Sequence, residues 1–171
     1  MKSLGRRSGV MFGVFAGLCF GAAALGTAAM RGRGRPDGAW FHMLRKPAAQ
    51  PSNRVFGPVW TLLYATMAYS AWRVWKARRS SARGRALTLW GTQLALNAAW
   101  TPLFFGARRP TLALFDLVAL DTAAALYAVT AARVDRHEVS AFVPYLGWLG
   151  FATYLNASIV RRNVHRSRWL R

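Results

Sequence analysis

Five long apolar stretches, separated by short polar and basic segments, dominate the hydropathy pattern of the chain. They cover residues 9–30, 55–75, 86–105, 111–132 and 139–160. Each is close to the roughly 20 residues that an α-helix needs to cross the hydrocarbon core of a bilayer. The pattern therefore predicts an all-α integral membrane protein. We expect one domain over 1–171, a five-transmembrane-helix bundle with a lid loop at 31–54 and a basic tail at 161–171.

The first apolar stretch has a glycine at every fourth position: Gly9, Gly13, Gly17 and Gly21. Glycine at this spacing lets two helix backbones approach closely in lipid, so these four residues, the glycine ridge, predict a helix–helix contact. The alternative is a signal peptide of the twin-arginine kind, because Arg6 and Arg7 precede the apolar run.

The second stretch follows a proline-punctuated loop and carries aromatic residues on one side. In the loop, Pro47 and Pro51 hold the backbone extended or turned, and the aromatic segment around Trp40 predicts a short turn of helix. Within the helix, one sector of about 80° holds Phe56, Trp60, Tyr64, Met67 and Ala71. This side predicts the wall of a pocket under a lid, and a lipid-facing aromatic belt is the alternative.

The third stretch carries two amides, Gln93 and Asn97, on the face that also holds Trp90, Trp100 and Thr101. Amides in a membrane helix usually face the interior of the bundle, where they bond to a neighbouring helix or to a ligand. Another face of this helix has the small residues Gly91, Ala95 and Ala99, which suit a helix or dimer contact.

The fourth stretch contains two carboxylates, Asp116 and Asp121. They lie about 140° apart around a helix, so they cannot form one carboxylate pair. We expect Asp116 to bond to a neighbouring helix, and the pattern assigns no role to Asp121. The fifth stretch presents a mostly apolar face with Tyr145, Trp148, Ala152, Leu155 and Ile159.

The charge balance is strongly basic, with 24 Lys and Arg against 5 Asp and Glu. Because the basic residues cluster between apolar stretches, we predict attraction to anionic lipids rather than a nucleic-acid partner. The single cysteine, Cys19, excludes an intrachain disulfide, and the three histidines lack metal-ligand spacing. We therefore predict no metal site, no cofactor and no catalytic residue.

Three motifs resemble the tryptophan-rich sensory protein family, the bacterial branch of the mitochondrial translocator protein or peripheral benzodiazepine receptor. The first is the loop-to-helix segment from Lys46-Pro47 to Trp60-Thr61. The second is Leu96-Asn97-Ala98-Ala99-Trp100-Thr101-Pro102-Leu103-Phe104-Phe105-Gly106, and the third runs from Pro144-Tyr145 to Leu155-Asn156. The resemblance covers roughly residues 9–163 and preserves the order and spacing of the motifs.

The resemblance implies a five-helix membrane bundle, often dimeric, with a ligand cavity beneath the first loop. Its ligands would be porphyrins and other tetrapyrroles, sterols, and benzodiazepine-type drugs. Together with the aromatic side of the second helix and its loop, it gives these predicted ligand-binding residues: Trp40, Phe41, Pro51, Phe56, Trp60, Tyr64, Asn97, Trp100, Trp148, Ala152 and Leu155.

The chain also departs from the family pattern. Ala49 and Arg54 stand where aromatics are usual or frequent, and Ser52 replaces a second proline. Phe41 stands where family members commonly have a tyrosine. In the family, that tyrosine is linked, together with two tryptophans, to tetrapyrrole breakdown. A sterol-recognition pattern in the fifth helix is broken at Ala157.

These features predict a membrane protein that binds porphyrins or other tetrapyrroles, with a sensing or transport role and a homodimeric state. One alternative is an enzyme that degrades porphyrin with light or oxygen. Another is an assembly protein whose aromatic residues are only interfacial.

Overall fold

The computed structural model describes residues 2–29, 38–135 and 138–164, and within these ranges the chain forms six α-helices and one π-helical turn. The elements are α1 (Lys2–Ala29), α2 (Ala39–Met43), α3 (Asn53–Lys76), α4 (Ser81–Thr101), the π-helical turn (Pro102–Gly106), α5 (Pro110–Ala132) and α6 (Glu138–Asn163). Residues 31–37 of the predicted lid loop and 165–171 of the predicted tail lie outside the described residues.

The predicted all-helical fold is confirmed, with five long helices at the five apolar stretches. The sixth helix, α2, is the short aromatic turn expected inside the lid loop. In the bundle, α1 packs on α3 and α4, α4 on α5, α5 on α6, and α6 returns to α3. Within the described residues, two helical segments are long and apolar enough to cross a membrane by length and composition, Arg7–Ala28 and Pro110–Ala132.

The start of α3 differs from the prediction, because the helix begins two residues earlier, at Asn53. Pro58 would be the fourth residue of a helix that begins at residue 55, and the earlier start places it in the second turn. Since proline has no N–H, the carbonyl of Arg54 lacks its usual helical donor there. Helix α4 also begins earlier, at Ser81, because the side chain of Ser80 caps it by accepting a hydrogen bond from the Arg83 N–H at 3.2 Å.

The core of the bundle combines small residues with large aromatic ones. Tyr127, Phe142 and Tyr145 are fully buried and form a run of edge-to-face contacts, with ring centroids 4.7 and 5.0 Å apart. The Tyr127 hydroxyl shares a hydrogen bond with Ser70 of α3 at 2.7 Å. These contacts hold α6 against α5 and α3, which fixes the walls of the cavity described below.

The two carboxylates of α5 differ from the expectation. Asp121 accepts a 2.7 Å hydrogen bond from the Thr153 hydroxyl and so joins α5 to α6. Asp116, for which that role was predicted, has a buried Oδ2 with no hydrogen-bond partner in the described part of the chain. The difference follows from their positions on the helix, because Asp121 lies on the flank that faces α6 and Asp116 on the other flank.

Candidate ligand-binding cavity

A cavity of about 410 Å³ lies within the bundle and is lined by residues of all five long helices, the lid segment and the π-helical turn. The volume is in the range of pockets that take drug-sized molecules. Among the described residues, no charged side chain lines it, and its polar groups come from threonine, asparagine, glutamine, tyrosine and tryptophan residues. The cavity therefore suits the apolar body of a ligand rather than an ionised group.

Nine of the eleven predicted ligand-binding residues line this cavity: Phe41, Phe56, Trp60, Tyr64, Asn97, Trp100, Trp148, Ala152 and Leu155. The two others lie outside the lining. Trp40 lies beside Phe41 in α2 but is buried against Phe104, with ring centroids 5.8 Å apart. Pro51 lies between the lining residues Gln50 and Asn53, in the turn that leads into α3, and does not itself reach the cavity.

One wall of the cavity is a contact between aromatic residues of α3 and α6. Trp148 makes edge-to-face contacts with Phe56 at 5.8 Å and Trp60 at 6.4 Å between ring centroids. On α3, the Trp60 ring also contacts the Tyr64 ring, with ring centroids 5.4 Å apart. Because each ring is held by its neighbours, a flat apolar ligand would meet a largely preformed surface.

Beneath this wall, a chain of buried hydrogen bonds links α3, α4 and α6. The Tyr64 hydroxyl donates to Asn97 Oδ1 at 2.7 Å, and Asn97 Nδ2 donates to the Tyr145 hydroxyl at 3.2 Å. The Tyr145 hydroxyl in turn donates to Gln93 Oε1 at 2.7 Å. Asn97 thus makes the predicted bonds to neighbouring helices, and it also lines the cavity.

The π-helical turn brings two phenylalanines to the cavity. The Ala107 N–H donates to the Pro102 carbonyl at 2.7 Å, a bond between residues five positions apart that widens the last turn after α4. Phe104 stacks on Trp100 at 5.1 Å between ring centroids, and Phe105 packs edge-to-face against Phe104 at 4.8 Å. Together these three rings close the cavity on the side of α4.

The lid segment is anchored by apolar burial and by backbone hydrogen bonds. Trp40, Phe41 and Leu44 are all buried in a cluster with Phe104, Phe105 and Ile159. Asn163 of α6 accepts from the Arg45 N–H and donates to the Arg45 carbonyl, both at 3.1 Å. Positions 49, 52 and 54, where the chain departs from the family pattern, are all exposed.

Lys46 lies at the lid with its ammonium 4.2 Å from the centre of the Phe41 ring. This distance is typical of a cation–π contact. Partial removal from solvent lowers the pKa of the Lys46 side chain. No carboxylate of the described residues pairs with it.

Sequence reasoning missed the contribution of α1 to the cavity. Ala22, Ala23 and Gly26 line it, and a Cβ atom added to Gly26 would lie 3.3 Å from Thr101 Oγ1. Gly26 lies outside the four-residue repeat of the glycine ridge. This irregularity was the one feature of the sequence that set Gly26 apart from the ridge glycines. The ridge itself faces outward, with nothing within 4 Å of an added Cβ at any of its four positions.

Within the described part of the chain, the cavity is open on one side, between α1 and α3. Its exposed lining residues all come from these two helices: Phe20, Thr27, Asn53, Gly57 and Thr61. No described lining residue of α4, α5 or α6 is exposed, and several of them, including Asn97, Leu117 and Leu149, are buried. The arrangement gives the cavity a closed aromatic interior and a lateral opening.

Comparison with known proteins identifies the family. Residues 15–162 match the model of the TspO/MBR family. The translocator protein of Homo sapiens is 41% identical over 126 residues, covering 72% of this chain and 75% of that protein. The tryptophan-rich sensory protein of Cereibacter sphaeroides is 38% identical over 146 residues, covering 84% and 89%. The tryptophan-rich protein TspO of Archaeoglobus fulgidus is 38% identical over 131 residues, covering 72% and 80%.

These matches confirm the resemblance seen in the three motifs, and the matched residues 15–162 cover nearly all of the range 9–163 that it spans. They also agree with the helical fold and with the two helices that are apolar enough to cross a bilayer. The chain is a helical membrane protein that belongs to the TspO/MBR family.

Proposed function

We propose that this protein binds a tetrapyrrole or a similar flat apolar ligand in the cavity between its helices, and that it senses or transports that ligand. The observation that carries the proposal is the uncharged cavity, walled by Trp60, Trp100 and Trp148. Rigid aromatic rings favour a planar ligand because they offer large contact areas with little loss of conformational freedom. The names of the relatives, translocator protein and tryptophan-rich sensory protein, agree with a transport or sensing role.

The proposal includes five membrane-spanning helices, α1, α3, α4, α5 and α6, each between 21 and 28 residues long. Segments of this length can cross the hydrocarbon core with some tilt. Basic residues such as Arg78, Arg79 and Arg83 lie in or beside the turn between α3 and α4, where they would meet lipid headgroups.

Porphyrin degradation by an enzyme is the less favoured function. The position that carries a tyrosine in the family is Phe41, whose ring packs 5.4 Å from Phe105 in the lid cluster and has no phenolic group. Nothing in the arrangement of Phe41, Trp60 and Trp148 favours chemistry over binding.

Ligand-induced stabilisation tests the proposed binding. A ligand that binds only the folded protein raises its stability by about 2.7 kcal/mol at 100 times its Kd, so protoporphyrin should raise Tm by several degrees in neutral detergent. A planar aromatic dye of similar size serves as the control for nonspecific partitioning. The proposal fails if protoporphyrin shifts Tm no more than the dye does. An illuminated sample that consumes porphyrin faster than a protein-free control would favour the enzyme.

We also propose a homodimer in which the glycine ridge of α1 contacts a second copy. All four glycines are exposed in the single chain, and their Cβ positions meet open space. Such a surface lets two helix backbones pack closely in a membrane.

The dimer is tested by mass measurement in detergent. We expect Gly13→Leu to shift the protein from dimer to monomer, because a large side chain blocks the backbone contact. Gly147→Leu, which also adds a side chain in open space but on α6, should leave the dimer intact. A Gly13→Leu protein that stays dimeric, while Gly91→Leu becomes monomeric, would place the contact on α4 instead.

A further inference from the structure

Lys46 and Arg54 lie beside the lid end of a cavity whose described lining residues carry no charge. Lys46 lies against the Phe41 ring, and Phe41 lines the cavity. Arg54 is exposed in the first turn of α3, one residue after the lining residue Asn53. Neither side chain lines the cavity itself. Charged groups of a ligand would therefore find their partners at this rim and not in the interior.

The position of Arg54 on α3 relates it to the lateral opening. Residues three and seven positions further along a helix lie on the same face. For Arg54 these are Gly57 and Thr61, two of the three exposed α3 residues that line the opening. Arg54 thus lies on the face of α3 that borders the gap between α1 and α3, one turn before Gly57.

Within the described residues, no carboxylate compensates this positive charge. From Gly38 to Tyr64, a segment that includes the described part of the lid loop and the first half of α3, the sequence has no Asp or Glu. Asp37, the one carboxylate of the lid loop 31–54, lies outside the described residues. Of the described ion pairs, Arg73 with Asp135 lies near the other end of α3 and does not reach the rim. A bound anion here would gain two partners without displacing a carboxylate of the described residues.

We propose that the cavity takes a ligand with a flat apolar body and one or more carboxylates, and that Lys46 and Arg54 hold the carboxylates at the rim while the body fills the uncharged interior. This inference rests on the proposed function and adds a chemical class and an orientation to it. A charged carboxylate buried in the interior would lose its hydration without a cationic partner, so the acid group must stay at the opening. Arg54 and Lys46 are accordingly specificity-determining residues and not part of the aromatic wall.

The test compares protoporphyrin, which has two carboxylates, with its uncharged dimethyl ester. Both are titrated against wild-type protein and the Arg54→Gln and Lys46→Gln/Arg54→Gln variants in neutral detergent. Because pairs of exposed charges contribute modestly, we expect the single change to raise the Kd of the acid about two- to fivefold and the double change about tenfold. The Kd of the ester should not change in either variant.

The matched control is Arg78→Gln, which removes the same charge from an exposed position beyond the far end of α3. It keeps the net charge equal to that of Arg54→Gln, so a general electrostatic effect would appear in both. We expect Arg78→Gln to leave the Kd of both the acid and the ester unchanged. Raising the salt concentration should weaken the binding of the acid to wild-type protein and leave the binding of the ester unchanged.

The outcomes separate the inference from the proposed function. In one outcome, wild-type protein binds acid and ester saturably, but the Kd of the acid is the same in the wild type, in Arg54→Gln and in the double variant. The rim assignment is then wrong, and the binding function stands. The assignment is also wrong if Arg78→Gln loses as much affinity for the acid as Arg54→Gln does. If neither ligand saturates wild-type protein, the proposed function and the inference fail together.

Discussion

Replacing Trp148 with alanine is expected to raise the Kd for protoporphyrin by roughly 5- to 150-fold. Trp148 is the ring that joins α6 to the α3 wall, since it contacts both Phe56 and Trp60. Alanine substitution of an aromatic that stacks on a flat heterocycle costs about 1–3 kcal/mol in other systems, and 1.4 kcal/mol corresponds to tenfold in affinity. The loss is measured by absorbance titration of the porphyrin band, which does not depend on tryptophan emission.

Two further variants make this result specific. Trp148→Phe retains a ring at the wall and should lose less affinity than Trp148→Ala. Trp75→Ala removes a half-buried tryptophan near the other end of α3, beside Arg83, and should leave the Kd unchanged. If Trp148→Ala folds with wild-type Tm and binds protoporphyrin with wild-type affinity, the aromatic wall is not the binding site.

The second large effect is expected at Gly26, where α1 approaches α4. Its Cβ position lies 3.3 Å from Thr101 Oγ1 and 3.4 Å from Thr101 Cβ, and Gly26 also lines the cavity. A leucine must therefore push Thr101 away or extend into the cavity. Overpacking of this kind costs about 1–3 kcal/mol, which predicts a Tm lower by roughly 2–10 °C in Gly26→Leu. Ligand affinity should fall as well, because the side chain narrows the cavity.

A glycine in open space provides the control for Gly26. Gly150→Leu places the same side chain on α6 where nothing lies within 4 Å of the added Cβ, and we expect its Tm and affinity to match the wild type. Gly26→Ala should show a small effect, since Thr101 need move only a few tenths of an ångström. Equal Tm values for Gly26→Leu and Gly150→Leu would contradict the close contact of α1 with α4.

Much of the fold could be predicted because its signals are local. Each long helix corresponds to an apolar run, and the aromatic side of α3 was predicted from the helical repeat of Phe56, Trp60 and Tyr64. The starts of α3 and α4 were missed because polar residues extend both helices beyond their apolar runs. Ser80 supplies a cap to α4 that hydropathy does not register.

The parts of the cavity that could not be predicted depend on how the helices pack. Gly26 becomes a lining residue only because α1 approaches Thr101, and the position of Gly26 outside the glycine repeat does not say which helix it contacts. Trp40 and Phe41 are neighbours in sequence, yet only Phe41 reaches the cavity, since the turn of α2 directs the Trp40 ring onto Phe104. The different roles of Asp116 and Asp121 likewise depend on which flank of α5 meets α6.

The central claim is that the cavity between the helices is a specific ligand site, and a stoichiometric titration tests it most directly. Wild-type protein in neutral detergent is titrated with protoporphyrin while tryptophan emission and porphyrin absorbance are followed together. We predict that both signals saturate at one ligand per chain, with quenching that reports Trp60, Trp100 and Trp148 at the cavity wall. Quenching that rises linearly without saturation, as for a ligand that only partitions into detergent, would contradict the account.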